Sequence, residues 1–143
     1  MSTEENKALI RRIYEEMNRQ NWAGIEELHA PDAVFHGMPP GISPGLAGAK
    51  QLLTPFWAAF PDAHWAVDDL IAEGDKVVAR LTFRGAHQGE FMGIPPTGKA
   101  VTFTAIYVSR IAGGKYVEDS GIEDQLGLMQ QLGAIPQMAQ AGT

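Results

Sequence analysis

The residues with the clearest capacity for chemistry lie late in the chain, in the β-prone segment Lys115–Ile122. Side chains alternate between the two faces of a strand, which groups Asp119 with Val117 and Gly121 and puts Tyr116 on the opposite face. If the Asp119 face lines an apolar pocket, lost hydration raises the pKa of this carboxyl and makes it a general base near neutral pH. We therefore predict that Asp119 accepts a proton; the alternative is an ordinary exposed acid.

Two further side chains could stabilise the negative charge that proton abstraction creates. Tyr107 shares a predicted strand face with Phe103, and His36 lies at the mouth of a loop rich in Gly and Pro, so both are candidates for binding an oxyanion. A packed core position for Tyr107 and a surface position for His36 are the alternatives. The candidates for contacting substrate are Trp57, Phe103, His87 and Arg80, with a solvated or dimer-facing position as the alternative for Arg80.

Two short segments resemble known catalytic loops but lack their chemistry. Residues 93–100 read GIPPTGKA, close to the phosphate-binding pattern G-x-x-x-x-G-K-[ST]. Pro95 and Pro96 have no N–H to offer a phosphate, and Ala100 replaces the hydroxyl residue that binds magnesium. Residues 41–45 match G-x-S-x-G, but Pro44 removes the backbone N–H that this motif uses for an oxyanion. We therefore predict neither a nucleotide site nor a serine nucleophile.

The composition excludes several other classes of protein. The 143 residues include no cysteine and four histidines, which show neither H-x-H nor H-E-x-x-H spacing, so we expect no metal and no cofactor. Seventeen acidic against 11 basic residues give a net charge of −6, which disfavours a nucleic-acid partner. The charged N-terminus is unlike a signal peptide and no apolar run is long enough to span a bilayer, so we expect a cytoplasmic protein without a membrane partner.

The elements that must position the candidates are helical in the first half and β-rich in the second. Ser2 and Glu5 fit a capping box for an amphipathic helix, and shorter helices are predicted at 21–29 and 46–60. After a short strand at 33–36, four strands are predicted at 64–71, 77–86, 100–111 and 115–122, followed by a last helix capped by Asp124. This order predicts an α+β fold, in which a curved antiparallel sheet and the helices over it enclose a wedge-shaped pocket.

Three segments give the chain a family resemblance. The stretches His87–Lys99, Gly114-Lys115 and Asp124–Gly133 resemble the SnoaL-like polyketide cyclases, also called ester cyclases, of the nuclear-transport-factor-2-like superfamily. The resemblance implies a cone-shaped α+β barrel, a homodimer formed through the sheets, and cofactor-independent intramolecular aldol closure of a polyketide ester. It also aligns the catalytic Asp of these cyclases with Gly121, and its partner His with Tyr107.

A glycine cannot abstract a proton, so three functions stay open. The first is a cyclase acting on a small apolar or polyketide-like substrate, with Asp119 as the base in place of Gly121. The second is an epoxide hydrolase or hydratase, for which Asp119 and Arg80 would supply two of three required groups. The third is a binding protein for an apolar metabolite without catalysis. We expect one domain over residues 1–143, with a frayed tail at 134–143.

Overall fold

The structure, a computed structural model, describes residues 2–136. Within this range the chain forms four helices and five strands, in the order α1 Thr3–Asn18, α2 Trp22–Leu28, β1 His29–Phe35, α3 Leu46–Ala59, β2 His64–Glu73, β3 Lys76–Ala86, β4 Ala100–Ala112, β5 Lys115–Glu123 and α4 Gln125–Gln131. The α+β class predicted from the sequence is confirmed. Most of the predicted frayed tail, residues 137–143, lies outside the described residues.

The five strands form one curved, unclosed sheet in the order β1-β5-β4-β3-β2. Strands β2 to β5 are the predicted antiparallel meander, joined by tight turns and by the loop between β3 and β4. The sheet is not wholly antiparallel, however, because β1 pairs parallel with β5. The sequence predicted only residues 33–36 as strand, after a helix at 21–29. In the structure Pro31 lies within β1, where an edge strand tolerates its missing N–H.

The two faces of the sheet have different environments. On β3 and β4, alternate residues are buried beneath the helices, while those between them are exposed or half-buried. The buried set includes Val77, Ala79, Leu81 and Phe83 of β3 and Val101, Phe103, Ala105 and Ile111 of β4. We call this buried side the inner face. The helices pack on the inner face, and we refer to the region between them as the wedge, where the sequence analysis expected a pocket.

The sequence of helix α1 explains both where the helix begins and why it packs on the inner face. The Ser2 hydroxyl accepts a hydrogen bond from the Glu5 N–H, and the Glu5 carboxylate accepts one from the Ser2 N–H, both at 3.1 Å, so the predicted capping box is confirmed. Leu9, Ile10 and Ile13 then bury one stripe of the helix in the core. Tyr14 lies beside this stripe and packs against the same core.

Candidate active site

A β-bulge in β5 determines which side chains reach the wedge. The ladder with β4 pairs Tyr116 with Ile111 but Glu118 with Arg110, so Val117 is an extra residue. Tyr116 and Asp119 therefore lie on the same inner face although three positions separate them. The alternation used in the sequence analysis assigned Asp119 and Gly121 to one face correctly, but it was wrong to put Tyr116 on the other.

Asp119 is a half-buried carboxylate held by a tyrosine. Across the ladder it pairs with the buried Ser109, and the Tyr116 hydroxyl donates a hydrogen bond to Asp119 Oδ2. Burial raises the pKa of Asp119 to about 6; the Tyr116 hydrogen bond and nearby His36 work in the opposite direction, and the charge of Glu123 adds to the rise. The side chain can thus exchange a proton near neutral pH.

A second pair of a tyrosine and a carboxylate lies further along the inner face. The Tyr107 hydroxyl of β4 donates a hydrogen bond to Glu123 Oε1 of β5. Burial raises the pKa of the Tyr107 phenol far above its ordinary value, and the Glu123 charge and hydrogen bond raise it further. Tyr107 therefore stays protonated. Gly121, which pairs with Tyr107 across the ladder, separates Asp119 from Glu123 on the inner face.

Tyr14 of α1 packs against the buried core to which Tyr116 belongs. Burial raises the pKa of its phenol well above the ordinary value, with further contributions from the charges of Asp119 and Glu123. Tyr107 and Tyr116 are in turn affected by Tyr14. We refer to Tyr14, Tyr107, Tyr116, Asp119 and Glu123 as the tyrosine–carboxylate cluster.

Beyond the cluster, the inner face becomes apolar and aromatic. Phe103 lies two inward-facing positions from Tyr107 on β4 and stacks on Phe83 of β3, with 4.7 Å between the ring centroids. Phe56 of α3 packs against Phe83 as well. Trp57, the next residue of α3, is half-buried, and its indole N–H is buried without a hydrogen-bond partner among the described residues. Of the predicted substrate contacts, Phe103 thus lies buried in the core of the inner face and Trp57 packs against that core.

His87, a third predicted substrate contact, is fully buried at the end of β3 and does not belong to the cluster. Its Nδ1 accepts a hydrogen bond from the Thr97 N–H at 3.1 Å, and its ring lies 5.6 Å from that of Phe60. The Gly98 N–H also donates to the His87 carbonyl, at 2.8 Å. His87 therefore holds together the two ends of the segment 87–98, which forms most of the loop between β3 and β4.

The remaining two predicted site residues lie on the opposite, outer face or at its edge. Arg80 is exposed, and its guanidinium lies 3.6 Å from the carboxylate of Asp68. His36 is exposed, and its Nε2 lies 3.1 Å from Glu118 Oε2. The structure brings Asp119 and Tyr107 together but places the side chains of His36 and Arg80 outside the cluster.

Two cavities are present at the ends and edges of the sheet. The larger, of about 250 Å³, lies between Asn6 and the two hairpin turns, and the smaller, of about 190 Å³, lies between His36, Glu118 and Asp119 at the edge of β5. Both volumes are below the roughly 300–1,000 Å³ usual for ligand pockets. Neither cavity is lined by the aromatic side chains of the wedge.

Across residues 2–136, no three His, Asp or Glu side chains come together in a way that could hold a metal ion. Among the helices of the same range, none has the length and apolarity needed to cross a bilayer.

The fold is that of a small α+β cyclase, and the chain belongs to the SnoaL-like polyketide cyclase family. The model of that family matches residues 8–132. The chain is 30% identical over 130 residues to the aklanonic acid methyl ester cyclase DnrD of Streptomyces peucetius, covering 87% of this chain and 88% of that protein.

Solved structures show the same fold. AclR of Streptomyces galilaeus, a candidate hydroxylase, superposes with a TM-score of 0.88 at 32% identity, covering 97% of this chain and 87% of that one. IdmH of Streptomyces antibioticus, a candidate polyketide cyclase, superposes with a TM-score of 0.81 at 36% identity, covering 90% of this chain and 98% of that one.

Sequence reasoning missed three members of the cluster. Tyr116 was assigned to the wrong face because no glycine marks the bulge at Val117 in the sequence. Glu123 follows the predicted end of its strand at Ile122, so it was not considered as an inward-facing residue. Tyr14 was recognised on the apolar stripe of its helix, but its packing against the core of the sheet is a long-range relationship that helical spacing cannot reveal.

Proposed function

We propose that this protein catalyses an intramolecular aldol closure of a polyketide-type ester, with Asp119 as the general base. The observation that carries the proposal is the state of Asp119: it faces the wedge, is bound to Tyr116, and has its pKa raised to about 6 by burial. A general base works best when its pKa lies near the working pH. Membership of the cyclase family supports the reaction class.

The proposed reaction is an isomerisation, so its atoms balance without a co-reactant. Asp119 removes a proton from a carbon next to a carbonyl, and the resulting enolate attacks a second carbonyl of the same molecule. A carbon–carbon bond forms, and the new alkoxide takes back a proton from Asp119. The Tyr116 hydroxyl donates its hydrogen bond to Asp119 Oδ2, so in this proposal Oδ1 is the atom that receives and returns the proton.

Tyr107 and His36 have different places in this proposal. Tyr107 lies in the cluster, but the one proton of its hydroxyl is directed at Glu123, so we assign it to shaping the site beside Asp119. His36 lies outside the cluster beside Glu118, and we assign it an electrostatic role, because it lowers the pKa of Asp119.

We propose that the substrate lies with its apolar part against Phe103 and Trp57 and its reacting carbon at Asp119. Aklanonic acid methyl ester, named in two relatives at 30% identity, is the first substrate to test. Neither of the two cavities described above lies among the aromatic rings of the wedge, and we propose that a molecule of this size displaces wedge side chains as it binds.

The geometry gives less support to an epoxide hydrolase or hydratase. That chemistry requires acidic and basic groups on either side of one water, and Asp119 and Arg80 were the two that the sequence offered. Asp119 faces the wedge, whereas Arg80 lies exposed beside Asp68. These two side chains therefore cannot flank the same water.

We also propose that the protein is a homodimer formed through the outer face of its sheet. Large apolar side chains are exposed on this face, with Ile122 exposed by 80%, Ile71 by 60%, Ile106 by 49% and Val108 by 39%. Ile106 and Ile122 are direct partners across the β4–β5 ladder, so their side chains form a continuous apolar surface. Contiguous exposed apolar surface of this kind favours association.

The proposed function is tested by converting aklanonic acid methyl ester with the wild-type chain and with Asp119→Asn. We expect the wild type to form a product of unchanged mass and altered retention in liquid chromatography–mass spectrometry, and the variant to be at least about a hundredfold slower. Asp32→Asn, which changes an exposed aspartate of β1, is the matched control and should keep the wild-type rate. Wild-type rates in Asp119→Asn would remove the proposed mechanism. Binding of the ester without turnover would favour a binding protein instead.

A further inference from the structure

Three ionisable side chains are joined in a row along the smaller cavity, which Asp119 also lines. Arg110 Nε donates a hydrogen bond to Glu118 Oε1 at 2.7 Å, and the other carboxylate oxygen, Glu118 Oε2, lies 3.1 Å from His36 Nε2. Arg110 and Glu118 are direct partners across the β4–β5 ladder, so the sheet itself keeps these two side chains next to each other. Glu118 therefore binds a different side chain with each of its oxygens.

The backbone holds His36 next to Asp119, but it does not fix the imidazole ring. The His36 N–H donates a hydrogen bond to the Asp119 carbonyl at 3.0 Å, and the preceding residue, Phe35, is the ladder partner of Asp119. The two side-chain torsions of His36 can still place its ring in several directions. The side chain is 55% exposed, and within residues 2–136 its one hydrogen bond is to Glu118. Glu118 thus determines that the ring lies at the cavity.

The charge of Glu118 suits it to hold an imidazolium. The hydrogen bonds from Arg110 and His36 lower the pKa of Glu118, so its carboxylate is ionised near neutral pH. An ionised carboxylate can only accept hydrogen bonds, so the ring nitrogen that faces it, His36 Nε2, carries a proton. The same negative charge stabilises the imidazolium relative to the neutral ring. Lys76 of β3, the ladder partner of Arg110, completes the charged lining of the cavity.

The inner side of Asp119 has a different electrostatic character from the cavity side. The groups whose charges interact with Asp119 from the inner side are a carboxylate and three phenols: Glu123, Tyr116, Tyr107 and Tyr14. The cations lie at the cavity, and among them His36 is the one that lowers the pKa of Asp119. A change that moves the ring of His36 therefore alters the positive charge that acts on Asp119.

We propose that Glu118, held by Arg110, is a positioning residue that keeps the imidazolium of His36 in the cavity beside Asp119. The inference rests on the proposed function and adds two residues to it, neither of which touches the substrate. The imidazolium stabilises the ionised form of Asp119, which is the form that accepts a proton from the substrate. Asp119 is therefore available as a base at a lower pH than burial alone would allow.

The inference can be tested without substrate, by following the titration of the Asp119 carboxyl. ¹³C NMR of protein labelled at its aspartate carboxyl carbons gives the midpoint, and Asp119→Asn identifies the signal by its loss. Glu118→Gln is compared in two backgrounds, the wild type and His36→Gln. In both backgrounds it removes a negative charge from the cavity, but in the wild type it also releases the imidazolium.

We expect the change in the Asp119 midpoint caused by Glu118→Gln to be more positive in the wild type than in His36→Gln, by roughly half a pH unit or more. Equal changes in the two backgrounds, or a more positive one in His36→Gln, would overturn the inference, because Glu118 would then not act through His36. Glu26→Gln, which changes an exposed glutamate of α2, is the matched control and should leave the midpoint unchanged.

Turnover gives a second readout that a purely structural role of Glu118 would not move. With aklanonic acid methyl ester, the midpoint of kcat/KM against pH should differ between the four backgrounds in the same order as the NMR midpoint. Failure of the wild type to convert the ester would count against the proposed function alone, since the titration of Asp119 does not depend on substrate.

Discussion

The ring of Tyr107 lies directly over Gly121. A Cβ added at Gly121 would be 2.7 Å from Tyr107 Cγ and closer still to the edge of the ring, a separation that non-bonded carbon atoms essentially never adopt. The two residues are also direct partners across the β4–β5 ladder. The position at which related cyclases are expected to carry their catalytic Asp is therefore closed to any side chain while Tyr107 is present.

This relationship predicts strong coupling between the two positions. Gly121→Ala should lower the free energy of unfolding by about 1–3 kcal/mol, because the new methyl group overpacks against the ring. In a Tyr107→Ala background the same change should cost much less, giving a coupling energy of about 1 kcal/mol or more in a double-mutant cycle measured by urea denaturation. Tyr107→Phe is the control, since it keeps the ring and should keep the full cost. Additive effects in the Tyr107→Ala cycle would contradict the packing described here.

The raised pKa of Asp119 predicts the pH dependence of turnover. Because the base acts in its ionised form, kcat/KM should rise with pH and level off above an apparent pKa near 6. Tyr116→Phe removes a hydrogen bond that lowers the pKa of Asp119, so the rise should move to higher pH, by roughly one unit if that bond contributes about 1.4 kcal/mol. Asp32→Asn should leave the midpoint where it is. A midpoint that moves to lower pH in Tyr116→Phe would show that the hydrogen bond does not act on Asp119.

The same pKa predicts a pH-dependent effect on stability. The pKa of Asp119 is higher in the folded chain than the ordinary value of 3.8, so the folded state binds the proton more tightly and ionisation of Asp119 opposes folding. This cost is absent below about pH 4, grows as the pH rises to 6, and is complete above it. Asp119→Asn removes the charge and should raise the free energy of unfolding by up to about 3 kcal/mol at pH 8, the equivalent of a shift of about two pKa units, with little difference from the wild type at pH 4. Scanning calorimetry of the wild type and the variant at pH 4 and at pH 8 measures the two differences. A variant that is less stable than the wild type at pH 8 would contradict the buried-charge argument.

The apolar outer face predicts the oligomeric state. In size-exclusion chromatography with light scattering, the wild type should have about twice the chain mass of 15.5 kDa. Ile122→Asp places a charge at the centre of the proposed interface and should give the monomer mass. Leu126→Asp makes the same change at an exposed residue of α4, outside the sheet, and should remain dimeric. A monomeric wild type, or equal effects of the two substitutions, would exclude this interface.

Much of the fold could be predicted from the sequence because its signals are local. The capping box at Ser2, the N-cap at Asp124, whose Oδ1 accepts from the Gly127 N–H at 2.9 Å, and the alternation on β4 are each determined by residues a few positions apart. The sequence missed most of β1 because its pairing with β5 joins residues such as Phe35 and Asp119, which are far apart in the chain.

The candidate site was predictable to a smaller extent. Asp119 and Tyr107 were found because strand alternation is a short-range rule that holds on the stretch they occupy. Arg80 and His36 were expected in the site on residue type, but residue type does not tell which face of a sheet a side chain takes. Tyr14 required the packing of α1 against the sheet, which is a tertiary relationship.

The extra residue at Val117 also determines which kinds of sequence change this site can tolerate. Point substitutions nearby alter one side chain at a time and leave the direction of its neighbours unchanged. An insertion or deletion at this position reverses the direction of every side chain that follows it in the strand, because inward and outward positions alternate along a strand. Loss or gain of a single amino acid before Asp119 can thus exchange the carboxylates that face the interior with those that face water. Insertions and deletions at this point, more than substitutions, are therefore the changes by which relatives of this chain would gain or lose such a site.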